Sequence, residues 1–205
     1  MLVKTRSLER LRNVNMTSVD ILERFWRRNG NIYSLISQDN FREVAWADLP
    51  STDYAVISYQ WRQNWNSIVT YILDSNSPVR AKWMWIDCKC LDQMDPNKMT
   101  TISRSDEIYF HAKEYHLIEI DSLTRGWVLF ELASVNVSVR PVIHNSIEGP
   151  AARELIRGHI SRTGFAGSNF TVEPDREVVR NNIINRHGSV AIFERLISDI
   201  LNRIL

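Results

Sequence analysis

Residues 54–59, YAVISY, form a short apolar run bounded by polar sequence, the signature of a strand buried on both faces. The segment after it, around 64–74, has the spacing of a helix. The pattern then repeats. WMWID (83–87) reads as a second strand, ISRSDEIYFHAKEY (102–115) as a helix and HLIEI (116–120) as a third strand. WVLFELASVNV (127–137) reads as a further helix and VRPVI (139–143) as a fourth strand. Strands alternating with helices predict an α/β fold, a parallel sheet covered by helices on both faces.

Outward from this core, TSVDILERFWRRN (17–29) predicts an N-terminal helix that stops at Gly30, and 144–172 is the least regular stretch. PDREVVRNNIINRHG and SVAIFERLISDILNRIL predict a C-terminal pair of helices divided at Gly188. The expected organisation is a single domain over 1–205. Its core covers about 50–145, with a helical extension at 1–50 and another at 145–205.

Composition narrows the classes of function. The chain has 205 residues, of which 25 are basic and 24 acidic, for a formal charge of +1. That balance supplies no field for nucleic acid or an anionic membrane. No apolar run has the roughly 18 residues of a membrane helix, and the start, MLVKTRSLERLRNV, is too charged for a signal-peptide core. A cytoplasmic protein is expected. Cys88 and Cys90, placed on a strand and pointing the same way, read as reduced packing residues. The pair has no second pair and His111 and His116 lie five apart, so no metal site is expected. There is no GxSxG elbow, P-loop or GxGxxG, which excludes those routes to nucleotide or ester chemistry.

Ligands of open α/β sheets bind outside the carboxyl ends of the strands. Tyr59, Gln60 and Trp61 follow the first strand, Asp87 ends the second, and Trp127 and Glu131 lie on the helix after the third. Glu131 shares a helix face with Trp127 and is the sole acid in that apolar helix. It is either a partnered structural charge or a tuned functional carboxyl.

YAVISYQW (54–61) and WMWIDCKCLDQ (83–93), followed by EIYFHAKEYHLIEI (107–120), resemble the heterokaryon-incompatibility (HET) family. Its blocks read ISY-W, then LWIDxxCxxQ, then IYxxA. TRGWVLFELASV (124–135) with PVI (141–143) resembles the matching block of Toll-type receptor (TIR) domains. This chain departs from the patterns at Arg62, where HET members commonly have Gly, and at Gln60, where TIR enzymes commonly have a basic residue. The resemblance implies a flavodoxin-like sheet and two alternative functions. One is cleavage of the nicotinamide–ribose bond of NAD, as a glycohydrolase or an ADP-ribosyl cyclase, in a toxin, immune or cell-death effector. Glu131 would then be catalytic, Tyr59, Gln60, Trp61, Asp87 and Trp127 would bind substrate, and NAD would be a substrate with no cofactor needed. The other is a non-catalytic signalling module. Self-association is implied by both.

Overall fold

A computed structural model describes residues 1–11, 40–60, 62–90, 98–139, 141–144, 150–170 and 175–204. Leu2–Lys4 (β1) leads into a 3-10 helix at Thr5–Leu11, and Phe41–Arg42 (β2) precedes another at Trp46–Ser51. Tyr54–Ser58 (β3), Trp65–Leu73 (α1), Trp83–Trp85 (β4) and Asp87–Cys90 (α2) follow. Next come Lys98–Ser103 (α3), Ser105–His111 (α4), Glu114–Ile118 (β5), a 3-10 helix at Ile120–Thr124, Gly126–Ser134 (α5) and Val142–His144 (β6). The chain closes with Pro150–Thr163 (α6), Asp175–His187 (α7) and Val190–Ile204 (α8).

The strands form one six-stranded sheet in the order β2-β1-β4-β3-β5-β6. β3 pairs in parallel with β4 and β5, and β5 with β6, while β1 runs antiparallel to β4 and β2. The four parallel strands therefore follow the order second, first, third, fourth, which is compatible with a flavodoxin-like arrangement. The sheet is mixed through its N-terminal edge. Its topological switch point lies between β3 and β5, where the chain leaves one strand for β4 and returns on the other side as β5.

All five residues of β3 are buried, as a central parallel strand requires. Strand alternation sends Tyr54, Val56 and Ser58 to one face, beside Tyr115 and Leu117 of β5. On that face Tyr54 donates its hydroxyl to the Ile108 carbonyl of α4 at 2.5 Å, and Tyr109 packs edge-on against Tyr115. α1 covers the other face. Its Tyr71 hydroxyl shares a hydrogen bond with His116 Nδ1 at 3.1 Å and its ring lies tilted over His144, while His116 Nε2 meets Glu114 at 2.9 Å. α7 and α8 pack on α5. Among the described residues no helix is long and apolar enough to cross a membrane.

Several expectations are corrected. β4 stops at Trp85, and Asp87 opens the helical turn α2, so Cys88 and Cys90 lie on a helix and not on the strand. Cys90 is buried and free, with Sγ donating to the Met84 carbonyl at 3.4 Å. β5 begins two residues earlier than expected and ends before Glu119, whose φ of 67° turns the chain into a 3-10 helix. The 102–115 helix divides into α3 and α4 at Arg104. Residues 1–50 are not simply a helical extension, because β1 and β2 join the sheet. The expected helix at 17–29 lies outside the described residues. The stretch expected to be irregular contains α6, whose Pro150 occupies a first-turn position that needs no N–H. The C-terminal pair is found as α7 and α8, broken at Gly188 with φ 81°.

Candidate functional site

Ser58 is the last residue of β3 and is 1% exposed, a hydroxyl at the end of an otherwise apolar run. Its place on the α4/α5 face requires a polar partner, since a buried unpaired hydroxyl costs about 1–3 kcal/mol. Glu131, inside α5, provides it: Ser58 Oγ donates to Glu131 Oε2 at 2.5 Å. The Tyr109 phenol of α4 bonds the same carboxyl. Tyr115 lies beside Ser58 on β5, its buried hydroxyl without a well-formed hydrogen bond. Two hydroxyls from two elements thus bond one carboxyl, and a third, that of Tyr115, lies within reach of its charge.

That carboxyl is pushed up from its ordinary value of 4.5 to about 8. Burial is the largest cause. The hydroxyls of Ser58 and Tyr109 oppose it, and the negative charge of Asp87 reinforces it. Glu131 as a residue keeps partial exposure, but its carboxyl end is withdrawn among the hydroxyls, so the desolvation is the better guide to its protonation. Near neutral pH it holds a proton, and it ionises readily once a positive charge arrives nearby.

Tyr59, the next residue after Ser58, donates its hydroxyl to Asp87 Oδ1 at 2.9 Å and meets Trp65 edge-on at 5.6 Å. Asp87 stands at the start of α2, and its charge reaches both Glu131 and Tyr109. The structure therefore brings Tyr59, Asp87 and Glu131 to one region at the carboxyl end of the sheet, beside the switch point.

The other expected residues fall differently. The Gln60 side chain bonds Asp121, and its backbone N–H donates to Gln63 Oε1 at 2.9 Å, so it faces the end of β5 and not Glu131. Burial and Glu119 raise the pKa of Asp121. Trp127 is one turn from Glu131 on α5, yet its indole N–H donates to Asp175 Oδ2 at 3.3 Å and its ring lies against Phe130. It ties α5 to the start of α7. Trp61 lies outside the described residues. Ser58, Tyr109 and Tyr115 were not foreseen as site residues. The available signal for Ser58 was a hydroxyl closing a fully apolar strand.

Among the described residues no three of His, Cys, Asp and Glu could hold a metal ion. Glu114, His116 and Tyr71 form a second hydrogen-bonded chain, on the opposite face of the sheet. There burial and Glu114 push the Tyr71 phenol up to about 12, too high for it to act as a nucleophile near neutral pH. Glu131 is a desolvated carboxyl at a sheet terminus whose ionisation answers to nearby charge. No protein-family model matches the chain, and neither a curated protein nor a solved structure does.

Proposed function

We propose that this chain is a TIR/HET-like domain of flavodoxin-like fold that cleaves NAD and releases nicotinamide, with Glu131 as its catalytic residue. It acts in the cytoplasm as a toxin, immune or cell-death effector, in a self-associated form. The observation that carries the reading is the Glu131 carboxyl, buried under Ser58 and Tyr109 at the carboxyl end of β3.

The chemistry suits such a group. Nicotinamide is joined to ribose as a cationic pyridinium. As the C1′–N bond breaks, its electron pair moves to the ring nitrogen and neutral nicotinamide departs, so no general acid is needed. Positive charge passes to the ribose as an oxocarbenium-like centre, which a carboxylate stabilises. Arrival of the cation favours ionisation of Glu131, whose proton leaves to solvent. Water then adds to C1′ and loses a proton, or a ring nitrogen of the adenine adds in its place and gives a cyclic product. Tyr59 and Asp87 flank this centre, and Gln60, Trp61 and Trp127 complete the binding residues that the resemblance implies.

The test is incubation of the concentrated protein with NAD, with nicotinamide and ADP-ribose products followed by chromatography. Wild type releases nicotinamide, and a folded Glu131→Gln variant does not. Equal release by both removes Glu131 from the mechanism. One observation favours the alternative, a non-catalytic self-associating module: the hydrogen bonds of Glu131 to β3 and α4 make it an internal strut. In that case concentration-dependent assembly occurs without nicotinamide release in either protein.

A further inference from the structure

The loops that leave β3 and β5 are fastened to each other across the switch point. The Gln60 backbone N–H donates to Gln63 Oε1 at 2.9 Å, the Gln63 amide donates to the Ile118 carbonyl at 3.3 Å, and the Gln60 side chain bonds Asp121. Two glutamines thus hold the turn after β3 against the end of β5. This fastening brings two cations together: Arg62, exposed in that turn, and Arg125, half-buried at the N-cap of α5. Burial and the charge of Arg62 lower the pKa of Arg125, so the two guanidiniums are close enough to repel.

Like charges held together destabilise each other unless an opposite charge joins them. Asp121 on the same rim does not fill that role. It is engaged by Gln60, and its pKa is raised, by burial and by Glu119, where an arginine partner would lower it. Among the described residues Arg62 makes no ion pair. Two guanidinium forks suit a phosphate or diphosphate, whose oxygens accept from both at once and whose charge removes the repulsion. A carboxylate, with a single charge, offsets only one of the pair.

Position ties this anion site to Glu131. Arg62 lies four residues beyond Ser58, which bonds the Glu131 carboxyl, and Arg125 precedes Glu131 on α5 by about 9 Å of helix axis. We propose that Arg62 and Arg125 bind the 5′-phosphate of the ligand whose cationic glycosyl end faces Glu131, so that the site takes pyridinium ribonucleotides and rejects the unphosphorylated ribonucleoside. The substrate class rests on the NAD-cleaving reading above, and the anion site does not. NAD and nicotinamide mononucleotide both carry that phosphate; nicotinamide riboside lacks it.

The full chain is titrated with inorganic pyrophosphate by calorimetry, and nicotinamide release is compared for NAD, nicotinamide mononucleotide and nicotinamide riboside. Saturable pyrophosphate binding is expected, weakened roughly tenfold or more in Arg62→Gln and in Arg125→Gln, as loss of one charge-assisted contact predicts. Arg62 is exposed, so its variant keeps the test valid if the Arg125 variant disturbs the start of α5. For both phosphorylated substrates kcat/KM should exceed that for the riboside by about a hundredfold, and Arg62→Gln should narrow the gap. Pyrophosphate binding that needs Arg62, with no nicotinamide released from any substrate, supports the anion site and refutes NAD cleavage. No saturable pyrophosphate binding, equal binding by wild type and Arg62→Gln, or release from the riboside as fast as from NAD overturns the proposal.

Discussion

Replacing Glu131 by Gln should make the protein more stable in alkaline solution and leave it little changed in acid. In the folded chain the carboxyl titrates at about 8, against an ordinary 4.5. Between those values the folded state holds a proton that the unfolded state has released, so unfolding becomes easier as pH rises. The stability is fully present below about 4.5, declines through that window and is lost above about 8. At about 1.4 kcal/mol per pH unit the loss has a ceiling of about 5 kcal/mol. Glutamine keeps the neutral shape, its carbonyl accepting from Ser58 and its amide donating toward Tyr109. Urea unfolding of both proteins at pH 5 to 9 measures the difference. The curves should agree within about 1 kcal/mol at pH 5 and part by a few kcal/mol at pH 8.5, with the variant the more stable. If the two run parallel over the range, Glu131 is an ordinary carboxylate and the argument from burial fails.

Ser58→Ala removes one of the hydroxyls that oppose the burial of Glu131, so it should cost about 1–2 kcal/mol and move the carboxyl further up. NMR titration of the Glu131 carboxyl should then show a midpoint on the alkaline side of wild type, and a downward move would contradict the role assigned to Ser58. Gly126→Ala tests the packing that seats α5, since a Cβ there would lie 2.1 Å from Phe170 Cζ and 2.7 Å from Ser168 Oγ. A loss of about 2 kcal/mol or more is expected, seen as a fall in Tm of roughly 5 °C; an unchanged Tm would mean that Phe170 moves aside freely.

The central strands were readable because burial on both faces leaves a continuous apolar run, as in Tyr54–Ser58. β1 was not, because Leu2–Lys4 offers too few residues for a period, and it acquires meaning only from its pairing with β4, about eighty residues away. α6 was missed for another reason. Its sequence has few apolar residues, with Leu155 71% exposed, and it packs on the 3-10 helix at Ile120–Thr124, reaching the core through Ile160. An apolar stripe is therefore weak there, although Pro150 and the helix-forming Ala, Arg and Glu that follow carry a signal of their own.

Glu131 stood out in the sequence as a lone acid in an apolar helix, but its surroundings depend on how α4 and α5 seat against β3 and β5, which no local pattern encodes. That seating is where structural and functional explanations of the residue part. A carboxyl kept only as a strut would gain from closing its network, because a partly satisfied buried network is less favourable than an apolar one. Here the fully buried Tyr115 hydroxyl remains without a well-formed partner beside Ser58. Asp87 adds a repulsion that a structural role does not need. A carboxyl held protonated by burial and by a second acid, and wrapped in hydroxyls that favour its ionised form, is set close to its point of ionisation. A cationic ligand tips that balance, and this property, more than the presence of the glutamate itself, supports a chemical role for Glu131.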